Sequence, residues 1–234
     1  MDNSIKQIRE SEKKSHIEMY SNDEIYQPGS WLTRPIKTIK EIVPLFKAYE
    51  KLRVLDLGCG VGRNSIFIAE EFKETDCIVE CVDILELAVE KLHFNAEKYG
   101  VSDHIRGVVK PIEEYVIKEN TYDLIIAVSA LEHVETEEAF LSKLEEIRDG
   151  ICENGVVCLV INSEVGETDK VTGAELPAQF EVNLKTIKLQ EILNRTFEGW
   201  TILKFTVQEQ QYDIPRENGI CDLQTKVVSF VARK

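Results

Sequence analysis

The segment 54–70, VLDLGCGVGRNSIFIAE, constrains the fold more than any other part of the chain. An apolar, strand-like run passes straight into glycines at 58, 60 and 62 and then into residues at helical spacing. Glycine permits positive φ and lets a ligand approach the main chain. The first turn of a helix offers backbone N–H groups that have no partner inside the helix. Strand, glycine turn and helix in this order predict a nucleotide-type site at the carboxyl end of the first strand of a parallel sheet.

The text after this segment keeps the alternation. Short apolar runs at 53–57, 77–83, 105–109, 123–128 and 155–161 suit strands covered on both faces. Helical patterns fall between them. Residues 62–73 follow the glycines, and 85–99 place Ala88, Leu92 and Ala96 on one stripe. Residues 137–148 begin acidic (Glu137, Glu138) and end at Arg148 just before Gly150, an order that complements the helix dipole. Residues 183–195 read as a further helix. The runs 200–212 and 223–232 alternate like strands, with Asn218-Gly219 between them, and predict an antiparallel hairpin with a broad loop. The fold class expected is α/β: a three-layer, Rossmann-like sandwich around a mostly parallel seven-stranded sheet that closes with a C-terminal antiparallel hairpin. Residues 51–234 are expected to form this domain, and residues 1–50 a helical and loop cap on it. Within that cap, 1–22 read as a frayed or solvent-facing helix, 23–35 as a structured loop, and 36–49 as a helix kinked or ended by Pro44.

Charge and cysteine usage narrow the partners. The chain has 234 residues and a net charge of −14, which argues against a protein that grips a nucleic-acid backbone. Six cysteines occur without a CxxC pair, so no zinc or other metal site is expected. The polar opening MDNSIKQIRESEKKSH lacks a signal-peptide pattern, and no apolar run approaches a membrane span. Reduced thiols, a cytoplasmic location and a monomer or loose homodimer are the resulting expectations.

The glycine spacing and two acids select the cofactor. The dinucleotide fingerprint needs a third glycine five residues after the first, and Arg63 occupies that position. The phosphate-gripping GxxxxGK[ST] pattern is also missing. Asp56 sits two residues before Gly58, at the mouth of the loop, where a carboxylate suits a cationic ligand such as the amino group and sulfonium of S-adenosylmethionine. Asp83 closes the second strand, where a carboxylate can accept hydrogen bonds from ribose hydroxyls; the alternative is a solvated acid capping the next helix.

DLGCGVGRNS, followed by CVD and then YDLIIAVSALEHV, resembles the class I S-adenosylmethionine-dependent methyltransferases over roughly residues 30–234. LTR at 32–34, GCGVGRNS at 58–65, FEGW at 197–200 and the closing ARK resemble, within that class, the tellurite-resistance methyltransferases. The resemblance implies methyl transfer from S-adenosylmethionine to a small-molecule acceptor, with S-adenosylhomocysteine as product. It implies that Asp56, Gly58, Cys59, Gly60 and Gly62 shape the site for the methionine half, with Arg63 and Asn64 opening the helix beside it. It places Asp83 on the ribose, Ile84 against adenine, the Ile112 N–H on the adenine edge, and Val128 and Ser129 at the methionine end. Lys110 stands where many relatives carry an adenine-reading acid, and Glu113 is a substitute for it. Arg34, in LTR, becomes a candidate clamp on the cofactor carboxylate. The tellurite group's late His-Arg pair has no counterpart: EQQYDIPRENG holds Tyr212 and Arg216 and no histidine.

His133, in SALEHVE, is the candidate general base, because an imidazole titrates near neutral pH. The other reading is a histidine that lines the pocket or caps the next helix. Glu132 reads as solvated. Tyr26 and Trp31 are candidate roof residues, and Trp200 reads as core. Two rival functions remain at this stage: a nicotinamide-dependent oxidoreductase and a non-catalytic S-adenosylmethionine-binding regulator. The missing Asn-Pro-Pro-Tyr motif disfavours a nucleobase amine as acceptor.

Overall fold

The computed structural model describes residues 17, 20, 24–28, 31–216 and 219–234, without the side chains of Trp31 and Pro215. Expectations for most of 1–22, and for the Trp31 ring and Asn218, lie outside the described residues.

The βα alternation is present. Strands β1 (Lys51–Leu57), β2 (Asp76–Asp83), β3 (Ile105–Val109), β4 (Tyr122–Val128) and β5 (Ile151–Asp169) are mutually parallel. Strand β6 (Glu175–Leu176) pairs with the far end of β5, and β7 (Thr201–Arg216) and β8 (Gly219–Arg233) form the hairpin. The sheet order is β3-β2-β1-β4-β5-β8-β7, with β8 antiparallel to both neighbours. The order reverses between β1 and β4, and a crevice at such a switch point is where ligands bind in open α/β sheets. The expected sheet is therefore observed, with β6 as a two-residue addition.

The helices are α1 (Lys37–Ile42), α2 (Arg63–Glu71), α3 (Glu86–Lys98), α4 (Glu137–Gly150) and α5 (Thr186–Thr196). Two apolar clusters sandwich the sheet. Leu52, Val54, Cys81, Leu124 and Ile126 face α1, α2 and α3, whereas Leu55, Leu57, Ile125, Leu159 and Phe230 face α4 and α5. The stripe of Ala88, Leu92 and Ala96 is buried against the first of these. Among the described residues no helix is long and apolar enough to cross a membrane.

One boundary follows expectation and one differs. The 36–49 helix stops at Ile42 and continues as a 3-10 turn over Val43–Phe46, because Pro44 has no N–H for an α-helical bond. The hairpin has no broad loop: its strands pair out to Arg216↔Gly219, leaving only residues 217–218 between them. β5 runs eight residues past Ile161 and gives β8 a partner out to Asp169↔Cys221, so polar text that shows no core alternation is still held as strand.

Helix α4 starts at Thr136, whose hydroxyl accepts a 3.1 Å bond from the Ala139 N–H. Thr136→Ala should lower stability by about 1 kcal/mol, the usual worth of such a cap. A thermal melt should show a midpoint about 2–4 °C lower; an unchanged midpoint would show that the cap contributes nothing.

Candidate cofactor and acceptor site

The glycine loop is stapled to the end of β2. The Gly58 and Cys59 N–H groups both donate to Val82 O, at 2.8 and 3.0 Å. The Gly60 N–H donates to Asp83 Oδ2 at 2.8 Å, and the Leu85 N–H to Asp83 Oδ1 at 2.9 Å. Asp83 is 8% exposed, so it is a buried acid that organises both the loop and the start of α3 rather than a solvated cap. From the far side, Asn95 Nδ2 donates to Val61 O at 2.9 Å.

Gly58 closes the switch-point crevice. Its φ is +71°, and a Cβ there would overlap the Ala130 Cβ just beyond β4. The same hypothetical atom would lie 3.6 Å from Ile112 Cδ1, so Ile112 borders the loop. Ile112 opens a 3-10 turn, Ile112–Glu114, a position whose N–H has no acceptor inside the turn. Ile84 is 47% exposed beside Asp83, and Lys110 donates its backbone N–H to Asp83 O at 2.8 Å. Ser129 leaves β4 exposed and with φ +50°, a strained setting for a residue with a side chain, while Val128 is half-buried.

Asp56 is buried under the loop and accepts the Ser65 hydroxyl. Burial pushes its carboxyl up to about 7; the Ser65 bond opposes that, the Asp83 charge adds to it, and Arg63 opposes it. A cationic ligand group here would favour the ionised form. Binding of S-adenosylmethionine should therefore tighten about ten-fold between pH 6 and 8, the range over which a group titrating near 7 ionises. Asp56→Asn should flatten that dependence in calorimetric titrations; a slope that survives the substitution would assign it to another group. The same shift acts on the ligand-free fold. The unfolded carboxyl ionises near 3.8 and the folded one near 7, so the stability it contributes is lost as pH rises through that window.

Arg63 opens α2 at the loop. Burial draws its guanidinium below the usual range, opposed by Tyr20, Asp56, Tyr26 and Tyr212. Tyr212, on β7, is the most distant in sequence of these electrostatic neighbours. The Tyr26 hydroxyl donates to Arg63 O at 2.8 Å, and its ring meets Tyr99 edge-on at 5.2 Å. Tyr20 is buried, and a Cβ on Gly60 would lie 2.7 Å from its hydroxyl, so Tyr20 covers the loop. Asn64 is buried and accepts the Ile36 N–H at 3.2 Å, which ties the LTR stretch to α2. Arg34 sits two residues before that tie, exposed and without an ion pair among the described residues.

Beyond β4, His133 ends the 3-10 turn Leu131–His133. Its Nδ1 lies 3.1 Å from Glu181 Oε2, and its ring stacks on Phe180 with centroids 4.8 Å apart. Glu132 corrects the expectation of a solvated acid. It is 1% exposed, and its Oε1 accepts both nitrogens of Asn162, the backbone one at 2.9 Å. Arg216, where the late His-Arg pair would fall, forms a buried two-bond ion pair with Glu167 at 2.7 and 3.0 Å. Trp200 is partly buried, edge-on to Phe197 at 5.0 Å. Nothing local marks Glu181, Phe180 or Tyr20 as neighbours of the site; Ser65, in the first turn of α2, has a position from which its role can be inferred.

The switch-point loop and the acids near the ends of β1 and β2 form a nucleotide-type site at the carboxyl ends of the strands. Residues 54–150, from the strand before the loop to the end of α4, match the family described as "Methyltransferase domain". Sterol 24-C-methyltransferase of Clavispora lusitaniae is 28% identical over 98 residues, 42% of this chain and 25% of that protein, so the match spans about a quarter of its length. Two solved structures share the fold. TehB from Haemophilus influenzae superposes with a TM-score of 0.61 at 22% identity, over 83% of this chain and 62% of that one. The Burkholderia thailandensis 1,6-didemethyltoxoflavin-N1-methyltransferase, solved with bound 1,6-didemethyltoxoflavin and S-adenosylhomocysteine, gives 0.56 at 18% identity, over 97% and 89%.

Proposed function

We propose that this chain transfers the methyl group of S-adenosylmethionine to a small-molecule acceptor, with the cofactor seated on the loop from Gly58 to Gly62. The observation that carries this reading is Asp83, buried at the end of β2, whose two oxygens accept the Gly60 and Leu85 N–H groups and so hold the glycine loop against the strand end. The residues fit the cofactor. Gly58 leaves the main chain bare, Asp56 offers a carboxyl to a cationic group, Ile84 offers exposed apolar surface next to Asp83, and Ile112 borders the loop at Gly58.

When bound, S-adenosylmethionine supplies a methyl carbon on a sulfonium that is already a good leaving group. The chain's task is then to hold the acceptor in line and exclude water, and effective molarity supplies much of the acceleration. In this reading Arg34 is a clamp for the cofactor carboxylate, Cys59, Arg63 and Asn64 shape the loop and its helix, and Val128 and Ser129 line the methionine end. Residues 1–50 act as a cap on the domain 51–234. That is supported by Tyr20, Ile25, Leu32 and Ile39, which share a cluster with β1 and α2. The acidic net charge supports a small acceptor over a nucleic acid, and the six free cysteines suit a reducing, cytoplasmic setting.

The test is incubation with methyl-labelled S-adenosylmethionine and the small-molecule fraction of a bacterial extract. Label should appear in a new small molecule, with S-adenosylhomocysteine formed in equal amount. Cofactor binding with no labelled product across the fraction would favour the regulator reading instead.

A further inference from the structure

We propose that Glu181 is the positioning residue of a carboxylate–imidazole pair with His133, and that the acceptor therefore arrives protonated, as an O–H or S–H group whose proton His133 removes. This rests on the methyltransferase reading above. Three observations carry it.

The first is placement. The His133 N–H donates to Ala130 O at 3.1 Å, and Ala130 is the residue that meets Gly58 across the crevice. The backbone turn that carries His133 thus starts at the residue that packs against the cofactor loop. The second is the asymmetry of the pair. The Glu181 side chain is 2% exposed, whereas the His133 side chain is 26% exposed. A buried carboxylate behind a partly exposed ring is the arrangement that steers an imidazole toward a reacting group. A surface ion pair would leave both ends in water. The third is how the pair is held. Val182 N–H donates to Glu132 O at 2.9 Å, and Phe180 stacks on the His133 ring with an interplanar angle of 30°. Residues on either side of Glu181 therefore clamp the turn that carries His133. Glu132 is not a rival partner, because its carboxyl faces Asn162.

The chemistry follows from the bond at Nδ1. A carboxylate there selects the neutral tautomer with its proton on Nδ1, which leaves the Nε2 lone pair as the base and stabilises the imidazolium that forms. In the step, the acceptor's proton passes to Nε2 while its oxygen or sulfur forms a bond to the methyl carbon. The carbon–sulfur bond of the sulfonium breaks, and its electron pair stays on sulfur as the neutral thioether of S-adenosylhomocysteine. The proton then leaves His133 to solvent. An acceptor that arrives as an anion would have no use for this pair.

Two measurements test the proposal. Nitrogen-15 NMR of the neutral His133 ring should show the Nδ1–H tautomer in the wild type and the Nε2–H tautomer in Glu181→Ala. With labelled S-adenosylmethionine and the small-molecule extract, His133→Asn should slow labelling about 100-fold, the usual worth of a general base. The isosteric Glu181→Gln should slow it about ten-fold, as loss of an orienting partner does, with S-adenosylhomocysteine binding unchanged in both. An Nε2–H tautomer in the wild type, or labelling rates within about two-fold of wild type in both variants, a change too small for a general base, would overturn it. A wild type that binds no S-adenosylmethionine overturns the methyltransferase reading instead, and the tautomer measurement still decides whether Glu181 holds the ring.

Discussion

Asp83→Ala is expected to weaken S-adenosylhomocysteine binding about 1,000-fold, because it removes two structural bonds and the ribose acceptor together. Both carboxylate oxygens are committed in the ligand-free fold, one to the Gly60 N–H and one to the Leu85 N–H. Alanine would strand both donors in a site where Asp83 itself is 8% exposed. A buried donor left unsatisfied costs about 1–3 kcal/mol. Part of that loss falls on the fold and part on the loop geometry that receives the cofactor. A charge-assisted bond to a ribose hydroxyl adds about 1.5–3 kcal/mol. About 4 kcal/mol in binding corresponds to the three decades expected. Asp83→Asn keeps one acceptor oxygen and should fall between. Calorimetry checks both, and an affinity within about three-fold of wild type for Asp83→Ala, a difference under 1 kcal/mol, would remove Asp83 from the cofactor site.

Gly58→Val should be the most damaging change to the fold of the site. The position has φ +71°, which a side chain with a branched Cβ adopts only under strain, and the new Cβ would overlap Ala130. Neither neighbour can give way cheaply. Ala130 is buried, and Ser129 before it is already at positive φ. Strain and overpacking together should cost about 2–4 kcal/mol. The melting midpoint should drop about 5–15 °C for a domain of this size, with cofactor binding lost. Gly166→Ala is the matched control, since a Cβ there meets nothing within 4 Å. Its midpoint should stay within about 1–2 °C of wild type, the range of a silent surface change. Equal effects at the two positions would mean that the tight approach of Gly58 to Ala130 is not what the loop depends on.

Periodicity was a good guide where the core enforces it. The βα units and the stripe of Ala88, Leu92 and Ala96 are legible because burial on both faces of a parallel sheet leaves few residue types possible. The loop and its two acids were legible for a different reason: their roles depend on neighbours close in the chain, within one βαβ unit. What sequence reading missed comes from distant segments meeting at the site. Glu181 lies 48 residues from His133, in a stretch without period, and nothing local marks it as that ring's partner. Glu132 looked like a solvated acid because a single charge carries no sign of burial. It is buried because β5 brings Asn162 against it. The hairpin was underestimated for a similar reason. Its outer half pairs with the extension of β5, which the polar text after Ile161 does not announce.

In this reading the loop from Gly58 to Gly62 selects S-adenosylmethionine over a nicotinamide dinucleotide. Calorimetric titration of the full chain with S-adenosylmethionine, S-adenosylhomocysteine and NAD is the decisive test. One site should bind both sulfur compounds at micromolar affinity or better, about −8 kcal/mol, with no heat from NAD. Saturable NAD binding with no response to S-adenosylmethionine would contradict it.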